Sequence, residues 1–258
     1  MLNRTRLYVP ARTLWGALTA ELARAKVTNF PDYQQIGEKL QREARLSYLY
    51  PAEEIDGKWQ VWLPLYQEDT GLVWEREDGK VEVERRFRMR LLITRPGTAI
   101  EPESDTAAEG TLREFELISP YWWDDRVSPR PVALVGYIFY KDAALLQELE
   151  PIQTLWVGGD IRYGLGRLDR VAWESADSFF GEKVDLRGEE PEIQTSRVLA
   201  HTRPPGGSTS LVGAMECLGG WDMPTGGMKT QDLTWAPGSR SKGACNFVVQ
   251  KEGLWVMQ

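Results

Sequence analysis

Few residues in this chain are equipped for acid–base or nucleophilic chemistry. His201 is the only histidine and stands in Leu199-Ala200-His201-Thr202-Arg203, beside a Pro/Gly-rich segment. Cleavage of RNA by general acid–base catalysis ordinarily uses a histidine, often with Lys or Tyr. His201 is therefore the one candidate catalytic residue, and the other reading is an ordinary loop position. A Ser or Cys nucleophile has no second histidine to activate it. Asp32, Asp105, Asp160 and Asp222 are scattered along the chain, and Asp is common at turns, so no metal site and no cofactor are expected. Cys217 and Cys245 are too few for a disulfide framework or a zinc site.

A binding chemistry is better supplied. Residues Leu155 to Leu168 place Gly158, Gly159, Gly164 and Gly166 around Arg162 and Arg167, between apolar runs. Glycine reaches backbone angles closed to other residues and has no Cβ to hold a ligand away. Bare amides and guanidinium forks suit phosphate. A plain glycine-rich turn is the alternative. Tyr163 has two readings, a platform for stacking a base or a packed core residue.

A second cationic feature lies upstream. Read as a strand, Arg86, Arg88 and Arg90 point one way and Phe87, Met89, Leu91 and Ile93 the other, because strand side chains alternate. Such an arginine ladder repels itself unless an anion or acidic neighbours lie beside it. The alternative is a solvated face matched by Glu82, Glu84 or a neighbouring strand.

These groups need positioning elements. Arg6 to Val9 reads as an extended piece stopped by Pro10. A helix follows, with Thr13 or Arg12 near its start and Trp15, Leu18, Leu22 and Ala25 as its buried stripe. Gly16 inside it predicts a close neighbour. A second helix opens at Asn29-Phe30-Pro31, with Tyr33, Ile36 and Leu40 inward. Strands are expected at Leu46–Tyr50, ended by Pro51, and at Trp59–Leu63. Asp78-Gly79 marks a hairpin. Further strands are expected at Thr111–Ile118, Val132–Tyr140 (central) and Leu168–Trp173, with a helix capped by Asp142 running to Leu149 and turning Ala143, Leu146 and Leu149 inward. The tail predicts a hairpin of Phe247–Val249 and Leu254–Met257. The order implies an α+β fold with a ferredoxin-like (RRM-like) antiparallel sheet over residues 1–174. Residues 175–258 are expected to form a β-rich C-terminal extension, either packed on the same domain or separate from it. The open sheet face of such a fold is where RNA-recognition domains bind RNA.

A net charge of −7 over 258 residues argues against a free-standing nucleic-acid binder. It leaves room for a local basic face, or for a subunit that meets RNA inside an assembly. The 11 tryptophans imply large contact surfaces, and Trp122 and Trp123 suit either core or subunit contact. No apolar run approaches a membrane span, and Met1-Leu2-Asn3-Arg4 opens no signal peptide. A cytoplasmic protein without membrane partners is expected.

Three segments together resemble the CRISPR-associated RAMP superfamily. They are the helix entry Tyr8-Val9-Pro10-Ala11-Arg12-Thr13-Leu14-Trp15-Gly16, the stretch Asp105–Glu114, and the glycine turn Gly158–Arg167. Gly219-Gly220-Trp221-Asp222, Gly226-Gly227-Met228-Lys229 and Ala236-Pro237-Gly238-Ser239 are similar to the end of the type III effector subunit that caps the 5′ handle of the guide RNA (crRNA). The resemblance implies a noncatalytic crRNA-binding subunit of a type III-like effector complex in antiviral defence. Its partners would be crRNA and other effector subunits, with target RNA as a further candidate. Arg12 and the glycine turn would contact the guide backbone. The family's first strand and loop usually precede the helix entry, where only Met1–Arg6 stand here. Either the start is truncated or another strand fills that place, with Phe247–Met257 as the candidate. The family's cleaving subunits carry their catalytic Asp in that loop, so target cleavage is not expected. The rival readings are a single-histidine RNA-processing endonuclease using His201, and a protein–protein scaffold.

Overall fold

The computed structural model describes residues 2–26, 30–124, 128–204, 211–222 and 226–258. The fold is α+β, mostly strands in mainly antiparallel sheets, with four α helices among the described residues. Before the first helix, Val9 exchanges two backbone hydrogen bonds of 2.9 Å with Leu49. Helix α1 (Ala11–Ala25) starts at Pro10, which offers no side-chain cap, so neither Thr13 nor Arg12 serves as one. It buries Ala11, Leu14, Ala17, Leu18, Leu22 and Ala23, while Ala25 is exposed. Gly16 faces open space, contrary to expectation. The close approach falls instead on Gly37 of α2 (Tyr33–Glu43). A Cβ there would meet the Trp15 ring at 2.8 Å, and Trp15 Nε1 donates to the Gly37 carbonyl at 3.0 Å. The start of α2 is fixed by Asp32, whose side chain accepts from the Gln35 amide, a strong N-cap. Ile36 and Leu40 are buried but Tyr33 is not. The expected opening at Asn29 lies outside the described residues.

A five-stranded sheet runs Val132–Val135, Tyr50–Ile55, Lys58–Gln67, Gly71–Arg76 and Val81–Val83 in that spatial order. Pro51 sits inside its strand rather than ending it, opposite Leu134. The Asp78-Gly79 turn joins the last two strands, with Gly79 at φ 86° as such turns need. The apolar run 132–140 is not one central strand. It splits at Gly136 into an edge strand of this sheet and the strand Ile138–Tyr140, which pairs with Ala44–Leu46. A Cβ on Gly136 would meet the Tyr48 carbonyl at 2.8 Å.

The expected arginine strand is helix α3 (Glu84–Leu91). Its residues therefore diverge. Phe87, Arg90 and Leu91 are buried, Arg86 is exposed, and Arg88 is half-buried. The cause is Glu53, a fully buried carboxylate on an inner strand of the sheet. One of its oxygens accepts from Arg90 at 3.0 Å and from Arg130. The other accepts from Arg76 at 2.7 Å and from Trp62 Nε1 at 3.2 Å. Arg90 also donates to Glu82 at 2.7 Å, Arg76 donates to Asp78, and Arg130 to Asp124. Trp62, Phe87 and Trp122 pack together around these charges. Phe87 stacks on Trp74 at 4.4 Å, and the Arg90 guanidinium lies 5.0 Å from the Trp122 ring centre. Trp122 thus belongs to the core, whereas Trp123 is exposed.

Helix α4 (Ala143–Leu149) is capped by Asp142 through the Ala144 amide and buries Leu145 and Leu149, while Ala143, expected inward, is exposed and Leu146 only half-buried. Strands Thr154–Trp156 and Arg167–Asp169 follow, the second ending well before Trp173. Residues 183–257 supply a seven-stranded sheet. Trp255–Met257 pairs there with Arg240–Val249, forming the expected hairpin, and with Thr202–Arg203. Among the described residues it pairs with no strand of residues 1–174, so it does not take the place ahead of the helix entry. The turn ahead of it packs on α1 instead: a Cβ on Gly253, at φ 71°, would meet Ala11 Cβ at 2.2 Å. Phe247 and Trp255 share one buried cluster with α1.

Replacing Glu53 with Gln leaves three cations around a neutral amide. Breaking a buried ion pair on one side costs about 3–5 kcal/mol. Urea denaturation of Glu53→Gln is expected to show a loss of that size. A change within about 0.5 kcal/mol, typical of surface sites, would contradict the role given to this carboxylate.

Candidate nucleic-acid interface

The glycine turn is built by the pairing of Thr154–Trp156 with Arg167–Asp169. The Val157 amide donates to the Gly166 carbonyl at 2.9 Å. Gly158, Gly164 and Gly166 have φ of 92°, 76° and 79°, in the left-handed region. At Gly166 a Cβ would also lie 1.9 Å from the Val157 carbonyl oxygen, so this glycine holds the turn together. Gly159 differs from all three. Its φ is not in that region, and nothing lies within 4 Å of a Cβ placed on it. The fold itself asks for no glycine there.

Between the glycines, Ile161–Tyr163 makes a single 3-10 turn. Arg162 is exposed, and its guanidinium carbon lies 6.0 Å from the Tyr163 ring centre. Tyr163 is 47% exposed, with Phe115 behind it at 5.3 Å between ring centres. Arg113 donates to its hydroxyl at 3.4 Å. Arg167 is spoken for in part, since it donates to Asp169 at 3.1 Å on an exposed surface.

The strand Arg113–Ile118 shows how the other arginines stand to this turn. It pairs with Leu92–Gly97 in a small sheet of three strands. Side chains alternate along a strand, and residues directly opposite share a face. Phe115 touches Tyr163, so Arg113 and Phe115 mark the turn's face. Arg95 lies opposite Phe115 and Gly97 opposite Arg113, which puts Arg95 on that face too. The other face carries Glu114 and Glu116. Glu116 accepts from Arg88 at 2.8 Å and from the Thr5 amide at 3.1 Å. Arg88 and the glycine turn therefore occupy opposite faces. The continuous surface expected of Arg86, Arg88 and Arg90 with the turn does not form. Arg95 and Arg113 take that place. The clue to them is the pairing of residues 92–97 with 113–118, which sequence alternation alone does not display.

Arg12, in the first turn of α1, faces the C-terminal segment. It is 3.6 Å from Glu252, and a Cβ on Gly220 would meet its guanidinium at 2.8 Å.

His201 is fully buried. Its Nδ1 meets the Tyr48 hydroxyl at 2.6 Å and its Nε2 meets Glu216 at 2.5 Å. Glu216 also accepts from Arg6 at 2.8 Å, and Arg6 donates to the Tyr8 hydroxyl at 2.9 Å. Burial pushes the imidazole pKa below its ordinary 6.5 despite the carboxylate. The ring is thus neutral near pH 7, donating from Nε2 to Glu216 and accepting at Nδ1 from Tyr48. For Glu216, burial acts upward, but the hydrogen bonds from His201 and Arg6 bring its carboxyl down to about 2. Burial raises the Tyr48 and Tyr8 hydroxyls. This cluster joins the N-terminal segment to the seven-stranded sheet, and its imidazole has no open side for substrate.

Among the described residues, no group of three or more His, Cys, Asp or Glu side chains is placed to hold a metal. No helix there is long and apolar enough to cross a membrane.

No family model matches the chain, and no curated protein sequence matches it. Solved structures do. One is a chain in the cryo-EM structure of the Type III-B Cmr-beta bound to cognate target RNA and AMPPnP. It has a TM-score of 0.53 and 16% identity, covering 92% of this chain and 78% of that one. Another is from the Type III-B Cmr-beta bound to cognate target RNA, with a TM-score of 0.54 and 16% identity over 92% and 76%. The chain shares its fold with these type III CRISPR effector chains. At this identity the likeness lies in the backbone path and not in particular side chains.

The neutral, buried His201 sets a pH dependence. Its folded pKa is depressed, so it contributes stability above pH 6.5 that is lost as pH falls through the folded value. The urea midpoint of the native protein is expected to drop as pH falls below 6.5, and His201→Gln to flatten that part of the profile. An unchanged slope would place the acid sensitivity elsewhere.

Proposed function

We propose that this chain is a noncatalytic crRNA-binding subunit of a type III-like CRISPR effector ribonucleoprotein. It works in the cytoplasm beside other effector subunits. In this reading residues 1–174 are the ferredoxin-like RAMP domain and residues 175–258 an extension packed on it. Three things support it. The fold is shared with chains of effector assemblies bound to cognate target RNA. The glycine turn follows α4 and a short strand, in the order of the RAMP resemblance. The cationic groups expected to hold phosphate are partly present, in Arg162 and Arg167.

The observation that carries the proposal is Gly159. Three glycines of the turn are demanded by backbone angle, and this one is not. It stands exposed beside Gly158, where a bare peptide lets a phosphate approach the amides. The buried His201 speaks against the endonuclease reading, because a general base must come within hydrogen-bond reach of its substrate.

Gly159→Val and Arg162→Ala separate binding from folding. Both are expected to melt like the native chain. Both are expected to bind a guide-length single-stranded RNA more weakly, Gly159→Val by roughly tenfold, the loss of about one charge-assisted hydrogen bond. For Arg162→Ala, the slope of log affinity against log salt is expected to fall by about 0.7, the loss of one phosphate contact. Unchanged affinity and slope, read by fluorescence polarisation, would remove the turn from the interface.

A further inference from the structure

We infer that Arg95, Arg113 and Tyr163 form a platform for single-stranded RNA, one base stacking on Tyr163 while the two arginines hold the flanking phosphates. The inference rests on the RNA-binding reading above and adds residues and a strand preference to it. Tyr163 is half-exposed although Phe115 supports it from behind. An aromatic ring backed by Phe115, half-exposed, and with the exposed Arg162 side chain 6.0 Å from its centre offers a stacking surface at little entropic cost. Arg113 reaches its hydroxyl. Arg95 and Arg113 are diagonal neighbours across two paired strands, which leaves their Cβ atoms within about 7–8 Å. Phosphates along one RNA strand lie a comparable distance apart. Gly97, directly opposite Arg113, adds no side chain between them.

Charge supports the same face. Among the described residues, Arg95, Arg113 and Arg162 have no carboxylate partner. The reverse face of the same strands carries Glu114 and Glu116, and its one arginine, Arg88, is already paired. A polyanion is thus drawn to one side of the sheet and repelled from the other. The platform favours single strands because stacking needs a base released from a duplex.

The test compares a single-stranded RNA with a duplex RNA of equal length, using the full chain. Tyr163→Leu keeps an apolar side chain on Phe115 and removes the ring. It is expected to lower single-strand affinity about tenfold and duplex affinity little. Tyr163→Phe keeps the ring and is expected to bind as the native chain does. Arg95→Ala with Arg113→Ala is expected to weaken both probes and to lower the single-strand salt slope by about 1.4, two phosphate contacts. If Arg162→Ala weakens binding while Tyr163→Leu and the double arginine variant do not, the platform is wrong and the RNA-binding reading survives. If none of these variants changes binding, both fail.

Discussion

The structure turns on one buried carboxylate. Glu53 lies on an inner strand of the five-stranded sheet with Arg76, Arg90 and Arg130 gathered on it. A single carboxylate cannot neutralise three guanidinium groups. Glu82, Asp78 and Asp124 each bind one of the arginines, and Lys80, 3.1 Å from Glu82, brings the cations to four against four carboxylates among the described residues. Desolvating so many charges is unfavourable unless each is paired with an opposite charge. That requirement fixes where the segments bearing them can lie. It pulls residue 90 inward, sets α3 against the sheet, and brings residue 130 back to the strand Tyr50–Ile55. The aromatic rings of Trp62 and Trp122 close over the arginines and exclude water.

The same constraint explains the main departure from what the sequence suggests. Residues 86–91 alternate charged and apolar, and that pattern reads as a strand. It also contains Phe87 and Leu91, four apart, which fit one side of a helix. Periodicity does not choose between them. Glu53, more than thirty residues upstream, does. Local signals fared better. The Asp78-Gly79 turn, the Asp142 cap and most of the stripe of α1 depend only on neighbouring residues, and each could be read directly. Gly16 failed because a helix glycine is not always a contact point. The contact belongs to Gly37, where Trp15 lands. Pairings such as Arg95 with Phe115 are non-local and leave no trace in composition.

The site follows the same division. The glycine turn was legible, since positive φ at Gly158, Gly164 and Gly166 is what clustered glycines announce. Its surroundings were not. The arginines of α3 are consumed by Glu53, Glu82 and Glu116 or turn away, and cationic character near the turn comes instead from Arg95 and Arg113. From sequence His201 reads as a catalytic candidate or an ordinary loop residue. It is a neutral structural link between Tyr48 and Glu216. An acidic chain thereby keeps one cationic, aromatic face while most of its other arginines serve ion pairs.

The central claim is that RNA meets this face and not its reverse. Ultraviolet cross-linking of the full chain to single-stranded guide-length RNA, with the attached peptides identified by mass spectrometry, tests it most directly. Cross-links are expected on Tyr163 and the residues around Gly158–Arg167, with none on the peptide that carries α3. Cross-links confined to α3 around Arg86, with the glycine turn unmarked, would contradict it.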